Sequence, residues 1–203
     1  MDEKIYGWWL PPDVSVHGAK IDQLMSVLHW FMALLFIGWG IFFIVLPVLV
    51  LQRLGGDAAY VGNLFALLGI TGFVTVMLMG RVSTRGREHA FLAAAILGQG
   101  LAFGISLFAP GNPLVIALVM VVLGIATGPF DVTLFTVRQR RTDVAWMGRA
   151  FAVSMALNFA GFPIGSAIGG FLAPISLELC IGIAIVANIA GAAVCYVALP
   201  REG

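Results

Sequence analysis

Asp131 has the type and position in this chain that most clearly ask for chemistry. It lies in an apolar stretch, residues 113–137, roughly 10 Å from the arginine-rich end at ~1.5 Å per residue. If that stretch crosses a bilayer, an acid at such depth costs about 2.5–3.5 kcal/mol on insertion scales. It must then face the interior of a helix bundle or water. Two roles are open for it. One is a proton-coupling or substrate-contacting carboxylate. The other is a structural ion pair with Arg138, seven residues on and so on the same helical face.

Weaker candidates surround it. His29 stands near the start of the first apolar stretch, at a depth that matches Asp131, as a proton relay or as hydrogen-bonded filler. Gln99, Asn158 and Asn188 are uncharged polar groups inside apolar stretches, suited to interhelical hydrogen bonds or to lining a cavity. Trp39, Phe42 and Phe43 read as lipid-facing or packing residues. Cys180 and Cys195 fall in one stretch, about 22 Å apart if it is helical, too far to bridge. No histidine or carboxylate stands near them at ligand spacing, so neither a metal site nor a cofactor is expected. There is no P-loop, no His-Glu-x-x-His and no Gly-x-Ser-x-Gly elbow, and Gly165-Ser166 lies mid-helix without a base near it in sequence. The chain is not expected to be an enzyme.

The elements that would position these residues follow from composition. Hydrophobic residues make up 61% of 203 and charged residues 10%, against about one quarter charged in soluble domains. A spanning helix needs roughly 20 apolar residues, and the chain supplies six such runs: 25–51, 58–79, 89–109, 113–137, 147–172 and 175–199. The breaks carry turn chemistry, as in Arg53-Leu-Gly-Gly-Asp57, Ala109-Pro-Gly-Asn-Pro113 and Ala173-Pro-Ile-Ser176. The fold class is all-α, a polytopic membrane bundle over residues 25–203. A polar and aromatic tail, residues 1–24, precedes it, with Trp8 and Trp9 suited to the headgroup region. Met1-Asp2-Glu3-Lys4 lacks the basic start of a secretory signal peptide, and none is expected. A net charge of +1 argues against nucleic acid as a partner; the partner is the lipid bilayer.

Arginines set the orientation. Arg81, Arg85, Arg87, Arg138, Arg140, Arg141 and Arg149 flank the breaks after spans two and four, while the other breaks hold only Arg53. Positive charge stays cytoplasmic, so the chain is expected to be integral to the cell (inner or plasma) membrane with both termini on its cytoplasmic side. Small residues recur four apart, at Gly100 and Gly104, Gly124 and Gly128, and Gly161, Gly165 and Gly169, as close-packed helices require. Pro129 and Pro163 are expected to kink or unwind spans four and five, either as ordinary packing irregularities or as hinges.

From about residue 44 onward the chain resembles the C-terminal half of a major facilitator superfamily transporter. Leu46-Pro-Val-Leu-Val-Leu-Gln-Arg-Leu-Gly-Gly-Asp57 is similar to the exit from that half's first helix. Gly80-Arg-Val-Ser-Thr-Arg-Gly-Arg87 resembles its glycine- and arginine-rich loop, with Gly80, Arg85, Gly86 and Arg87 matching. An acid common in that loop is absent, Ser83-Thr84 standing in its place. Gly128-Pro-Phe-Asp-Val-Thr-Leu-Phe-Thr-Val-Arg-Gln-Arg140, Met147-Gly-Arg-Ala-Phe151 and Gly161-Phe-Pro-Ile-Gly165 resemble the helix-four to helix-five region of export-type members. Residues 8–43 look different. Trp9-Leu-Pro-Pro-Asp-Val-Ser-Val-His-Gly18, Lys20-Ile-Asp-Gln-Leu24 and His29-Trp-Phe31 resemble the start of cytochrome c oxidase subunit II, with no copper ligands following.

The first resemblance implies an efflux-type half-transporter for a small, amphipathic solute. It would work by alternating access, complete its cavity with a homodimer mate or a separate half, and line it with Asp131 and the polar residues of spans one, four and five. The second implies an accessory subunit of a respiratory oxidase. A truncated or chimeric bundle without activity is the remaining expectation.

Overall fold

The computed structural model describes residues 18–142, 144 and 147–198. Six helices follow one another: α1 (Gly18–Arg53), α2 (Ala58–Met79), α3 (Glu88–Phe108), α4 (Pro113–Arg141), α5 (Met147–Leu172) and α6 (Leu177–Ala198). All six are long and apolar enough to cross a membrane. Two bounds differ from the hydropathy reading by more than three residues. α1 begins at Gly18, inside the stretch read as a tail, and α4 runs on to Arg141. Arginine and glutamine are good helix formers, so Val137-Arg-Gln-Arg-Arg141 stays helical where apolar content has already ended.

Local chemistry fixes the ends. Asp57 caps α2, its carboxylate accepting from the Tyr60 N–H at 2.8 Å. Asn112 caps α4 by accepting from Leu114 N–H at 2.9 Å, with Pro113 in the first turn, where its missing N–H is harmless. Ser176 accepts from Leu179 N–H at the start of α6. Gly55 turns the chain after α1 at φ +61°, and Gly86 turns it before α3 at φ +75°, a region that a side chain strains. Pro129 and Pro163 stand inside unbroken helices, so neither span unwinds at its proline.

The helices pack in the lateral order α2, α4, α3, α6, α1, α5. Exchanging α1 with α4, α2 with α5 and α3 with α6 returns the same set of neighbours. The first three helices and the last three are therefore equivalent units, and an odd number of crossings makes the second inverted relative to the first. The seams obey the same exchange. α5 runs parallel to α1, with Gly161 against Ala33, Gly165 against Ile37 and Gly169 against Ile41, an offset of 128 each time. α4 runs parallel to α2, with Gly124 against Thr71 and Gly128 against Thr75, an offset of 53. A Cβ at Gly165 would overlap the Ile37 carbonyl, so only glycine lets these backbones meet. Thr75 Oγ1 also donates to the Gly124 carbonyl at 2.9 Å across the second seam.

Two ion pairs complete the symmetry. Arg53, the last residue of α1, meets Glu178 at the start of α6 at 2.7 Å. Arg140, at the end of α4, meets Glu88 at the start of α3 at 3.1 Å. They tie equivalent helix pairs at opposite ends of the bundle. The core runs along the inner faces: Phe42 stacks on Phe103 with ring centroids 4.1 Å apart, and Trp39 lies against Phe36 and Phe130. Trp39 and Phe42 are thus packing residues. The outside is oily, most of all on the two end helices of the row, with Ile70, Phe73, Met77 and Leu78 on α2 and Val153, Phe159, Ile164 and Phe171 on α5. Such a surface is stable only in a bilayer or against another apolar wall.

Candidate transport site

α4 carries the two charges of interest. Asp131 is half-buried two residues beyond Pro129, and Arg138 is 2% exposed two turns further on. Phe135 stands between them on the same face, its ring stacked on Phe151 of α5 at 6.2 Å. This face therefore turns toward α5, a helix that packs chiefly on α1. The ion pair with Arg138, one of the two roles open to Asp131, is not formed, since no nitrogen–oxygen contact within 4.0 Å joins them. Arg138 instead reaches α5, with Nη1 4.0 Å from the Met155 sulfur, while its Nε and Nη2 find no partner. Phe130, Leu134 and Arg138 stand four apart and are all buried. That spacing was the available signal that Arg138 is an interior residue and not a loop charge. With it removed from the loop, six arginines still mark this end: Arg81, Arg85, Arg87, Arg140, Arg141 and Arg149.

His29 approaches from α1. It is 8% exposed, its Nε2 has no partner, and it lies within electrostatic reach of Arg138. The constant offset of 128 between α5 and α1 sets Ser154 level with residue 26 and Met155 level with residue 27, within a turn of His29. Ser154 Oγ and Thr133 Oγ1 are also fully buried without partners. Hydropathy gave no sign of either, because a single short hydroxyl side chain barely lowers the apolar character of a spanning helix.

The other polar candidates fall elsewhere. Gln99 is buried on α3, a helix that packs on α4 and α6 and away from α5. Its Oε1 is unpartnered. Asn188 donates to the Ala184 carbonyl at 2.9 Å on α6, near Gly100 and Gly38, so it seals the junction of α1, α3 and α6. Asn158 lies in α5, and its side chain is outside the described residues. Among the described residues no group of three or more His, Cys, Asp and Glu could hold a metal, and both cysteines are buried and free on α6.

The arginine-rich loop is ordered by its own chemistry. The Gly80 N–H closes α2 on the Val76 carbonyl at 3.0 Å. Arg87 lays its guanidinium over the Phe91 ring at 5.4 Å. An acid does stand just after the loop, at the first position of α3. Glu88, 3% exposed, reaches Arg140. Sequence reasoning overlooked it because it follows the basic cluster, where the resemblance places the acid before it.

These features sit on a six-helix unit built of two inverted triplets. The Major Facilitator Superfamily profile matches residues 28–203. The chain belongs to the Major Facilitator Superfamily. It is 34% identical over 167 residues to an uncharacterized MFS-type transporter, y4rN, of Sinorhizobium fredii (strain NBRC 101917 / NGR234), covering 81% of this chain and 40% of the relative. The chain thus spans about two-fifths of the length of that relative. The superfamily is one of membrane transporters, and not of enzymes. Its match runs through residues 28–43, which corrects the boundary expected near residue 44. Those residues, at the start of the helix that carries His29, are part of the superfamily domain and not of an oxidase-like segment. Residues 8–17 of that segment lie outside the described residues.

Proposed function

We propose that this chain forms one wall of an efflux-type transporter for a small amphipathic solute, completed by a second copy or a separate six-helix half. The observation that carries the proposal is the face of α4 that holds Asp131 and Arg138. Asp131 and Arg138 share a face turned to α5, beside the two end helices whose apolar flanks have no neighbour. A central path needs walls on both sides, and six helices in a single row of neighbours supply one. Six arginines at the end shared by the α2–α3 and α4–α5 connections support a cytoplasmic side for that end, with both termini. Alternating access would rock this wall against its mate, closing first the arginine-rich end and then the other.

Asp131 is the coupling residue in this account. Among the described residues it has no ion-pair partner to hold its charge, and it stands close to a proline, which lacks the N–H of a helical hydrogen bond. Asp131→Asn keeps size and polarity and removes the titratable proton. Gradient-driven flux in proteoliposomes should be lost, while downhill exchange of the same solute persists. Unchanged gradient-driven flux would remove Asp131 from the mechanism.

A further inference from the structure

Arg138 offers a binding edge that nothing in the described chain uses. The residue is 2% exposed, and the guanidinium nitrogen facing Met155 makes one weak contact with sulfur. The two unpartnered nitrogens are Nε and Nη2. Their N–H bonds lie on one edge of the planar group and point the same way, the fork that a carboxylate meets with both oxygens. A lysine presents no such edge.

The surroundings fit the same ligand. His29 Nε2 from α1, Ser154 Oγ from α5 and Thr133 Oγ1 from α4 are buried, unpartnered and able to donate. Three helices thus bring spare donors to one end of the bundle, and among the described residues no acid pairs with them. Asp131 is outside ion-pair distance of Arg138, and Glu88 is engaged with Arg140. Apolar side chains stand beside these donors: Phe31 and Met32 follow His29, and Leu134 and Val137 precede Arg138. One unpaired cation among apolar walls matches a single negative charge on an oily body. Arg138 is three residues from the end of α4 at Arg141, so parting the last turn of α4 from α1 and α5 would open a short path to it.

We propose that the free Nε–Nη2 edge of Arg138 anchors the carboxylate of an amphipathic organic monocarboxylate, with His29 and Ser154 as accessory donors. This deepens the transport reading, on which it depends for the carboxylate being cargo.

Benzoate is the probe, with the full chain held in nanodiscs of phosphatidylcholine and binding followed by calorimetry. Wild type binds benzoate saturably and ignores benzamide, which has the same shape without the charge. Arg138→Gln abolishes binding, and Arg138→Lys, which keeps the buried charge and so guards against a mere folding defect, weakens it at least tenfold. Absence of saturable binding to wild type, equal affinity in Arg138→Lys, or equal binding of benzamide overturns the assignment. So does displacement of benzoate by phosphatidylglycerol added to the discs, which would give the fork to a lipid headgroup. The measurement requires no mate and no flux. Lost binding with transport of uncharged solutes intact would reject the carboxylate alone. Binding without flux in any assembly would reject transport and keep the site.

Discussion

The ion pair between Glu88 and Arg140 should hold the arginine-rich end closed far more firmly than its symmetry mate holds the other end. Removing Arg140 leaves a carboxylate that is only 4% exposed, whereas removing Arg53 leaves Glu178 at 55%. A hydrogen bond to a charged, buried partner contributes about 1.5–3 kcal/mol, while an exposed pair contributes about 0.2–1. Arg140 itself is 38% exposed, so the lower half of the first range applies. At about 1.4 kcal/mol per factor of ten, Arg140→Gln should raise local opening of the α3 start by roughly 10–40-fold. Arg53→Gln should raise opening of the α6 start by less than about fivefold by the same conversion. The assay is amide hydrogen exchange in nanodiscs, read at Ala90 and Phe91, whose N–H groups bond the Arg87 carbonyl at 3.0 Å. Glu88→Gln with Arg140→Gln together should open the end no further than the worse single change, because the two act as one unit. Equal effects of Arg140→Gln and Arg53→Gln, or additive effects of the two changes in the buried pair, would refute the reasoning.

Two further outcomes follow from packing and capping. Gly165→Ala should destabilise the protein by about 1–3 kcal/mol, because the new Cβ forces the α1 backbone away. Gly182→Ala, with nothing within 4 Å, should be neutral or stabilising by up to about 1 kcal/mol, both read as midpoints of detergent unfolding. Asp57→Ala removes the cap on α2 and should lower stability by about 1 kcal/mol while leaving helix content unchanged by circular dichroism.

Six spans were legible because each apolar run has membrane length and each break has proline, glycine or arginine to end it. Legibility stopped where charge and helix coincide. Arg138 read as a loop cation since hydropathy falls at Val137, yet helical phase carries it onto the buried ridge of Phe130 and Leu134. The shared face of Asp131 and Arg138 was predictable from a spacing of seven; the missing bond was not. Which way a long side chain turns depends on what α1 and α5 present to it. The lateral order of helices was equally hidden, because hydropathy gives the number of spans and not their neighbours. Glycine spacing hinted at close seams, but only the fold tells that Gly161, Gly165 and Gly169 meet α1 and that Gly124 and Gly128 meet α2.

The central claim is that one chain is one wall. Native mass spectrometry of transport-competent particles released from proteoliposomes tests it most directly. The account predicts two six-helix units in every particle that supports flux, either two copies of this chain or one copy with a second membrane subunit. Full flux from particles holding a single copy and no other protein would contradict it.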